Sequence, residues 1–215
     1  MNIHNSTIVN DIYNSKINII SYLRKQNFDV SKYENFTVAE VNAMKLASED
    51  SSQLNFEVAD LTDPKKICQV RYHLKPSIKK ATLQEIVSDF YEYGDYDKEK
   101  CSIIIITMSK INDTVTGTIR ELWEKYQEYC MVFNISSLQY NVLEHDYVPE
   151  HIKLSSKEKE DVFRKYNVSD NKQLPEISVF DPVSKAILLR PGEVCKIMRY
   201  DKISFMNEFF RVCVI

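Results

Sequence analysis

QLPEISVFDPVSKAILLRPGEVCKIMR, from Gln173 to Arg199, decides how the last third of this chain folds. It holds Pro175, Pro182 and Pro191, three of the six prolines in 215 residues, and Gly192, one of only three glycines. Proline fixes φ, removes a backbone donor and drives the residue before it toward extended geometry. The stretch therefore reads as short, stiff extended pieces joined by turns. Arg190-Pro191-Gly192-Glu193 is a tight turn in which Gly192 is free to take positive φ. GEVCKIMR and, further on, NEFFRVCVI read as the last two strands. The stretch has no histidine and no motif that marks a nucleophile.

Working outward, the character of the chain changes near residue 140. Residues 1–144 carry 16 Lys and Arg against 20 Asp and Glu, and residues 145–215 carry 12 against 11. Four of the six prolines fall in the later part. These shifts place a boundary between a domain of residues 1–144 and a smaller one of residues 145–215. Just after the boundary, Ser155 and Glu158 form a capping box for the helix SSKEKEDVFRKY.

The earlier part alternates helices and strands. Residues 3–26 show a helical stripe of Ile8, Ile12, Ile19 and Leu23, widened by Tyr13, Ile17 and Ile20. A second helix starts near Thr37 and is broken by SEDSS. LNFEVAD and ICQVRYHL alternate as strands, with Asp-Pro between them as a turn. TLQEIVSDFYEY reads as a helix capped by Thr82 with Glu85. CSIIIITM reads as a central strand buried on both faces. TVTGTIRELWEKYQEYC is a helix in which Gly117 is a packing or kink residue, and MVFNI is a short buried strand. The expected class is mixed α/β, or α+β: a mixed sheet flanked by helices, plus a small α+β domain.

Composition narrows function. Hydrophobic residues make up 44% and charged residues 27%, which fits a globular chain with a core. Net charge is −3, whereas a free-standing nucleic-acid binder is more often basic. No apolar run approaches the ~20 residues that span a bilayer. The N-terminus lacks a signal-peptide pattern, and neither end carries a lipidation motif. The five cysteines are widely spaced with no CxxC pair, as expected of buried reduced thiols and not of a zinc site. His145 and His151 could ligate a metal, but Pro149 breaks any helix between them and no third ligand is spaced to join them. No P-loop, GxSxG or GxGxxG appears, and neither metal nor cofactor is expected.

The last third resembles a known family. The landmarks are His145 with Val148-Pro149 and His151, then Leu154-Ser155. After the helix come Gln173-Leu174-Pro175 and Asp181-Pro182-Val183. Leu189, Gly192-Glu193-Val194, Lys196-Ile197 and Arg199 follow, with Arg211 in the closing strand. In this order and spacing they are similar to the C-terminal domain of the shared fifth subunit of eukaryotic RNA polymerases, and to its archaeal counterpart. The likeness is close over about 55 residues. The first 144 residues match in length and general character, like the eukaryotic form with its added N-terminal jaw domain.

The resemblance implies a non-catalytic subunit of a multisubunit DNA-directed RNA polymerase. Its C-terminal domain would dock on the largest subunit, and its jaw would lie around downstream duplex DNA. The interface residues carried over are His145, Pro149, His151, Gln173, Leu174, Pro175, Asp181, Pro182, Arg190, Gly192, Glu193, Lys196, Arg199 and Arg211. In the jaw, Lys65, Lys66, Arg71, Lys79 and Lys80 could meet DNA phosphates without reading sequence. Tyr91, Tyr93 and Tyr96 could stack bases or simply pack, and Trp123 with Tyr126 reads as core or interface. Expected location is the nucleus, or a cytoplasmic factory or virion if the chain is viral; no membrane partner is expected.

Two departures mark a divergent member, from a fast-evolving or viral lineage. Leu188 stands where the family has glycine before the leucine of its arginine-glycine loop. Tyr200-Asp201-Lys202-Ile203-Ser204 replaces a Pro-Ser-Glu-Thr-like run. Two other functions compete. One is a free-standing transcription adaptor that kept the assembly domain. The other is a nuclease, because the family's jaw resembles the restriction-endonuclease fold. Active members of that fold carry an acid on one strand and acid-x-Lys on the next, binding magnesium. Asp60 could be the first acid, but Gln69-Val70-Arg71 lacks the second acid and the lysine, so an inactive version is expected.

Overall fold

The computed structural model describes residues 2–47, 51–94, 96–203 and 205–215, without the side chains of residues 2–6. The expected helix break at SEDSS falls partly on residues 48–50, outside the described residues. The chain forms two compact units, Met1–Tyr140 and Asn141–Ile215. Each is built on a four-stranded mixed sheet, so the class is mixed α and β. No helix among the described residues is long and apolar enough to cross a membrane.

The first unit opens with helix α1, Asn2–Lys25. Its buried stripe comprises Val9, Ile12, Ile19, Ile20 and Leu23. Ile17, expected to widen that stripe, is 42% exposed. It lies about 140° round the helix from Ile12, five residues at ~100° each. Lys16 sits inside the stripe instead and is buried. Its ammonium lies 5.0 Å from the Phe36 ring centroid and 5.4 Å from that of Phe56. Burial lowers its pKa, partly offset by Glu40. Helix α2, Val38–Ala47, starts where Thr37 and Glu40 cap each other.

Strand β1, Phe56–Ala59, runs antiparallel to β2, Ile67–His73. β2 is parallel to β3, Ser102–Thr107, and β3 is parallel to β4, Cys130–Asn134. β3 is interior to the sheet and every residue in it is buried, as its unbroken isoleucine run dictates. Leu54, read as part of the first strand, lies in a single helical turn before it.

Helices α3, Lys80–Ser88, and α4, Asp113–Tyr126, occupy the connections between the parallel strands. The expected Thr82–Glu85 cap does not form. The helix starts earlier, with Lys79 at the N-cap and no side-chain bond to it. The Lys79 carbonyl already accepts the Leu83 amide at 3.0 Å, which leaves Thr82 inside the first turn. α3 runs on into a π-helical turn, Asp89–Tyr93.

α4 is shorter than its sequence pattern suggested, ending at Tyr126 with Gln127 in the left-handed region at φ 56°. Gly117 neither packs nor kinks: it is exposed, α4 continues through it, and an added Cβ would meet nothing within 4 Å. With so few glycines, the left-handed positions just past α1 and α4 fall to Asn27 and Gln127.

The second unit contains β5, Glu150–Lys153, and α5, Ser156–Lys165, followed by β6, Glu176–Ser178, and α6, Pro182–Ala186. It closes with β7, Val194–Asp201, and β8, Phe205–Val214. The sheet order is β5-β7-β8-β6, with β6 parallel to β8 and the other pairs antiparallel. α5 carries the Ser155–Glu158 capping box. Its Val162 and Phe163 pack on Leu154, Val194 and Val212, on one face of the sheet. The opposite face buries Cys195, Ile197 and Cys213. All five cysteines in the chain are free and buried.

Candidate functional site

The proline-rich stretch from Gln173 onward is a series of fixed loops on the second unit. Gln173 closes a capping box around Asp170, its Oε1 accepting the Ser169 amide at 2.7 Å. The Pro175 carbonyl accepts the Val212 amide at 3.0 Å. Leu174 packs half-buried against the cluster of Leu154, Val194 and Val212. Asp181 caps α6 by accepting from the Val183 amide at 2.8 Å, with Pro182 in the first turn, where a missing N–H does no harm.

The turn after α6 is held from several sides. The Arg190 amide donates to Glu193 Oε2 at 2.7 Å, and the Glu193 amide returns to the Arg190 carbonyl at 3.0 Å. Gly192 takes φ 86°, its amide bonding the Cys213 carbonyl and its carbonyl accepting from Lys159 Nζ. Glu193 also pairs with Lys153 at 2.7 Å. These bonds fix the turn from several sides.

Sheet register brings another subset together. His151 lies opposite Ile197 and Arg211 opposite Cys195, so both share a sheet face with Arg199. Asp181 is within electrostatic reach of His151. Burial lowers the His151 pKa; the Pro149 carbonyl and Asp181 oppose this, while Arg199 and Arg211 reinforce it. Burial thus favours the neutral ring. Its Nδ1 lies 2.6 Å from the Pro149 carbonyl. The Arg199 guanidinium lies 4.9 Å from the Phe209 ring centroid, and Arg211 donates to the Glu176 carbonyl at 2.8 Å.

Lys196 falls on the opposite face, 3.7 Å from Glu208. His145 stands apart in an exposed loop before β5, its Nδ1 accepting the Tyr147 amide at 3.2 Å. Among the described residues no group of three or more His, Cys, Asp or Glu is placed to hold a metal.

The sequence reading has NEFFRVCVI as an apolar final strand with few breakers, able to offer an extended edge to a larger partner, but it does not say which of its side chains are exposed. The far part of the β7–β8 hairpin exposes Tyr200, Ile203, Phe205, Met206 and Phe209, with Ile203 at 91%. The signal was present: apolar residues occupy both parities of the strand there, where a half-buried strand would alternate.

In the first unit the basic positions do not form one patch. Lys65 and Lys66 precede β2, and Arg71 lies about 16 Å further along it at ~3.3 Å per residue. Lys66 bonds Asp60 at 2.5 Å, and Lys80 bonds Glu121 at 2.5 Å. Arg71 donates to Gln69 at 2.6 Å and borders a groove of about 480 Å³, together with His73, Glu85 and Asp89. Lys65 and Lys79 are exposed.

Of the tyrosines, Tyr91 is buried and bonds the carbonyls of Cys101 and Tyr129; Tyr96 stacks on Phe90 with centroids 4.5 Å apart; Tyr93 is exposed. Trp123 is half-buried against Tyr129, and Tyr126 is exposed. Asp60, the candidate first acid of a nuclease, is buried and fully engaged. Its Oδ1 accepts from Thr62 and Asn27, and its Oδ2 from Lys66. Burial pulls its carboxyl upward, but the bonds from Lys66 and Thr62 outweigh that and hold it far below the ordinary carboxylate range.

Residues 140–213 match the model of the family described as "RNA polymerase Rpb5, C-terminal domain". DNA-directed RNA polymerase subunit Rpo5 of Thermococcus onnurineus (strain NA1) is 36% identical over 76 residues, covering 35% of this chain and 92% of that protein. The chain belongs to the Rpb5 family. The DNA-directed RNA polymerases I, II, and III subunit RPABC1 of Caenorhabditis elegans is 34% identical over 97 residues, 45% of this chain and 44% of that one. The match thus spans less than half the length of this nematode relative. The DNA-directed RNA polymerases IV and V subunit 5B of Arabidopsis thaliana is 25% identical over 203 residues, 94% of this chain and 88% of that protein. Nearly the whole archaeal Rpb5-family protein aligns to about a third of this chain, and the C-terminal family model falls almost entirely on the second unit.

Proposed function

We propose that this chain is a non-catalytic subunit of a multisubunit DNA-directed RNA polymerase, anchored to other subunits, the largest among them, through its second unit. The observation that carries this reading is the match of the Rpb5 C-terminal domain model to residues 140–213, the unit with a fixed loop set and an exposed apolar hairpin. Preformed loops lower the ordering cost of association, and apolar surface supplies its drive.

The first unit is the jaw, a restriction-endonuclease-like fold without an active site of its own, placed beside downstream DNA. The saturation of Asp60 supports the inactive reading. Contact with DNA is through phosphates, led by Lys65 and Lys79, which have no carboxylate partner among the described residues, and so weakens with salt. The subunit works in the nucleus, or, in a viral lineage, in a cytoplasmic factory or virion.

Charge reversal tests the anchoring face. Arg199→Glu and Arg190→Glu should each lower the fraction of chain incorporated into polymerase in co-expressed cells. Normal incorporation of both variants would reject this face as the anchor.

A further inference from the structure

The β7–β8 ribbon outruns its neighbours. β5 accompanies β7 only as far as Met198, and β6 accompanies β8 only over Val212–Val214. From Phe205 to Arg211, β8 is therefore paired on one side alone, with β7. The direction of its backbone groups follows from the bonds at its base. Val212 donates outward, to the Pro175 carbonyl, and Cys213 donates inward, to the Glu193 carbonyl. Backbone groups alternate along a strand, so the amides and carbonyls of Met206, Glu208 and Phe210 face the open edge. Natural proteins blunt such edges with proline, bulges or charged side chains; from Phe205 to Phe210 this one has no proline and a single charge, Glu208, paired with Lys196 and Lys165.

The side chains point the same way. Tyr200 and Met206 are exposed on one face of the ribbon, Phe205 and Phe209 on the other. A ribbon apolar on both faces is not satisfied by lying flat on a surface. Its partner must reach the edge and cover both sides.

We propose that the open edge of β8 receives an extended segment of a neighbouring polymerase subunit as an added strand, continuing the line begun by β6. The proposal deepens the polymerase-subunit reading and rests on it. Charge narrows the segment. Arg199, without a carboxylate partner among the described residues, lies over Phe209 of the edge strand. That is about one strand spacing, ~4.8 Å, from the path of the added strand. Arg211 is on the same face, so the segment carries a carboxylate there. A second copy of this chain is the poorer occupant. Antiparallel self-pairing centred on the open groups sets Glu208 against Glu208, and like charges directly opposite are destabilising.

The test is amide exchange at single-residue resolution, on the free full chain and on the chain within purified polymerase. In the free chain the amides of Asn207, Phe209 and Arg211 should be protected, and those of Met206, Glu208 and Phe210 open. In the polymerase the second set should slow by about tenfold or more. A second arm uses Glu208→Pro, which removes an outward donor that the fold does not use. The free variant should keep the exchange pattern of the inward amides, yet its retention in polymerase through a salt wash should fall about tenfold, ~1.4 kcal/mol. If the chain is in the polymerase with the second set still open, strand addition is wrong and the subunit reading stands. Absence from the polymerase overturns both. Protection that grows with concentration in the free chain overturns the proposal in favour of a homodimer.

Discussion

Leu188 offers a sharp test of how sequence and backbone are matched in this domain. It lies two residues past the end of α6, at φ 51°, and is only 7% exposed. The Leu188 amide bonds the Lys185 carbonyl at 3.2 Å, and the Leu189 amide bonds the Ser184 carbonyl at 2.9 Å. This is a Schellman closure, whose left-handed position usually holds glycine. The family resemblance also implies glycine there. Leucine in this geometry costs roughly 1–2 kcal/mol of backbone strain, while burying its side chain returns about 1.5–3 kcal/mol.

Two substitutions separate these effects. Leu188→Ala keeps the strain and loses the packing, so it should destabilise by about 2–5 kcal/mol. Leu188→Gly loses the same packing but releases the strain. It should be more stable than the alanine variant by about 1 kcal/mol, although glycine is ordinarily the worse by ~0.5–1 kcal/mol within regular structure. The assay is exchange of the slowest amides of the β7–β8 ladder, which reports on the second unit alone. An alanine variant as stable as the glycine variant, or more so, would refute the reasoning.

Other outcomes follow from the same structure. Gly117→Ala should stabilise the first unit by about 0.5–1 kcal/mol, because the site is helical, exposed and open, and thermal unfolding will show it. Asp60→Asn should cost about 1–3 kcal/mol at neutral pH by weakening the pairing of the Lys66 ammonium and the loop that Asp60 gathers. The folded-state pKa of Asp60 is depressed. Its contribution is therefore present above the unfolded value of ~3.9 and lost as pH falls toward the folded one. Urea midpoints measured from pH 7 downward should fall less steeply for the variant than for the parent.

Much of the architecture was legible because single residues left few options. The unbroken, β-branched Ile103–Ile106 run pointed to a strand covered on both faces, and Ser155 with Glu158 to a helix start, and both formed. The clustered prolines placed the rigid loops. What stayed hidden depends on tertiary context. Lys16 reads as a surface charge, and only the rings of Phe36 and Phe56 make room for it inside. The start of α3 is not at its best capping residue, because the bond from Leu83 to the Lys79 carbonyl forms a turn earlier.

At the site, resemblance supplied residue names but could not sort them by task. Gln173, Asp181 and Gly192 hold loops in place, whereas His151, Arg199 and Arg211 share one sheet face. The apolar final strand hinted at an edge for a partner, but how much of β8 is open depends on where β6 stops, which no local pattern contains.

The central claim is membership of a polymerase. The direct measurement is native purification of the tagged full chain, followed by size-exclusion chromatography and quantitative mass spectrometry. Co-elution with the two very large polymerase subunits at constant stoichiometry is the expected result. Recovery as a free monomer, or substoichiometrically with other transcription proteins, would contradict the account and leave the adaptor reading in its place.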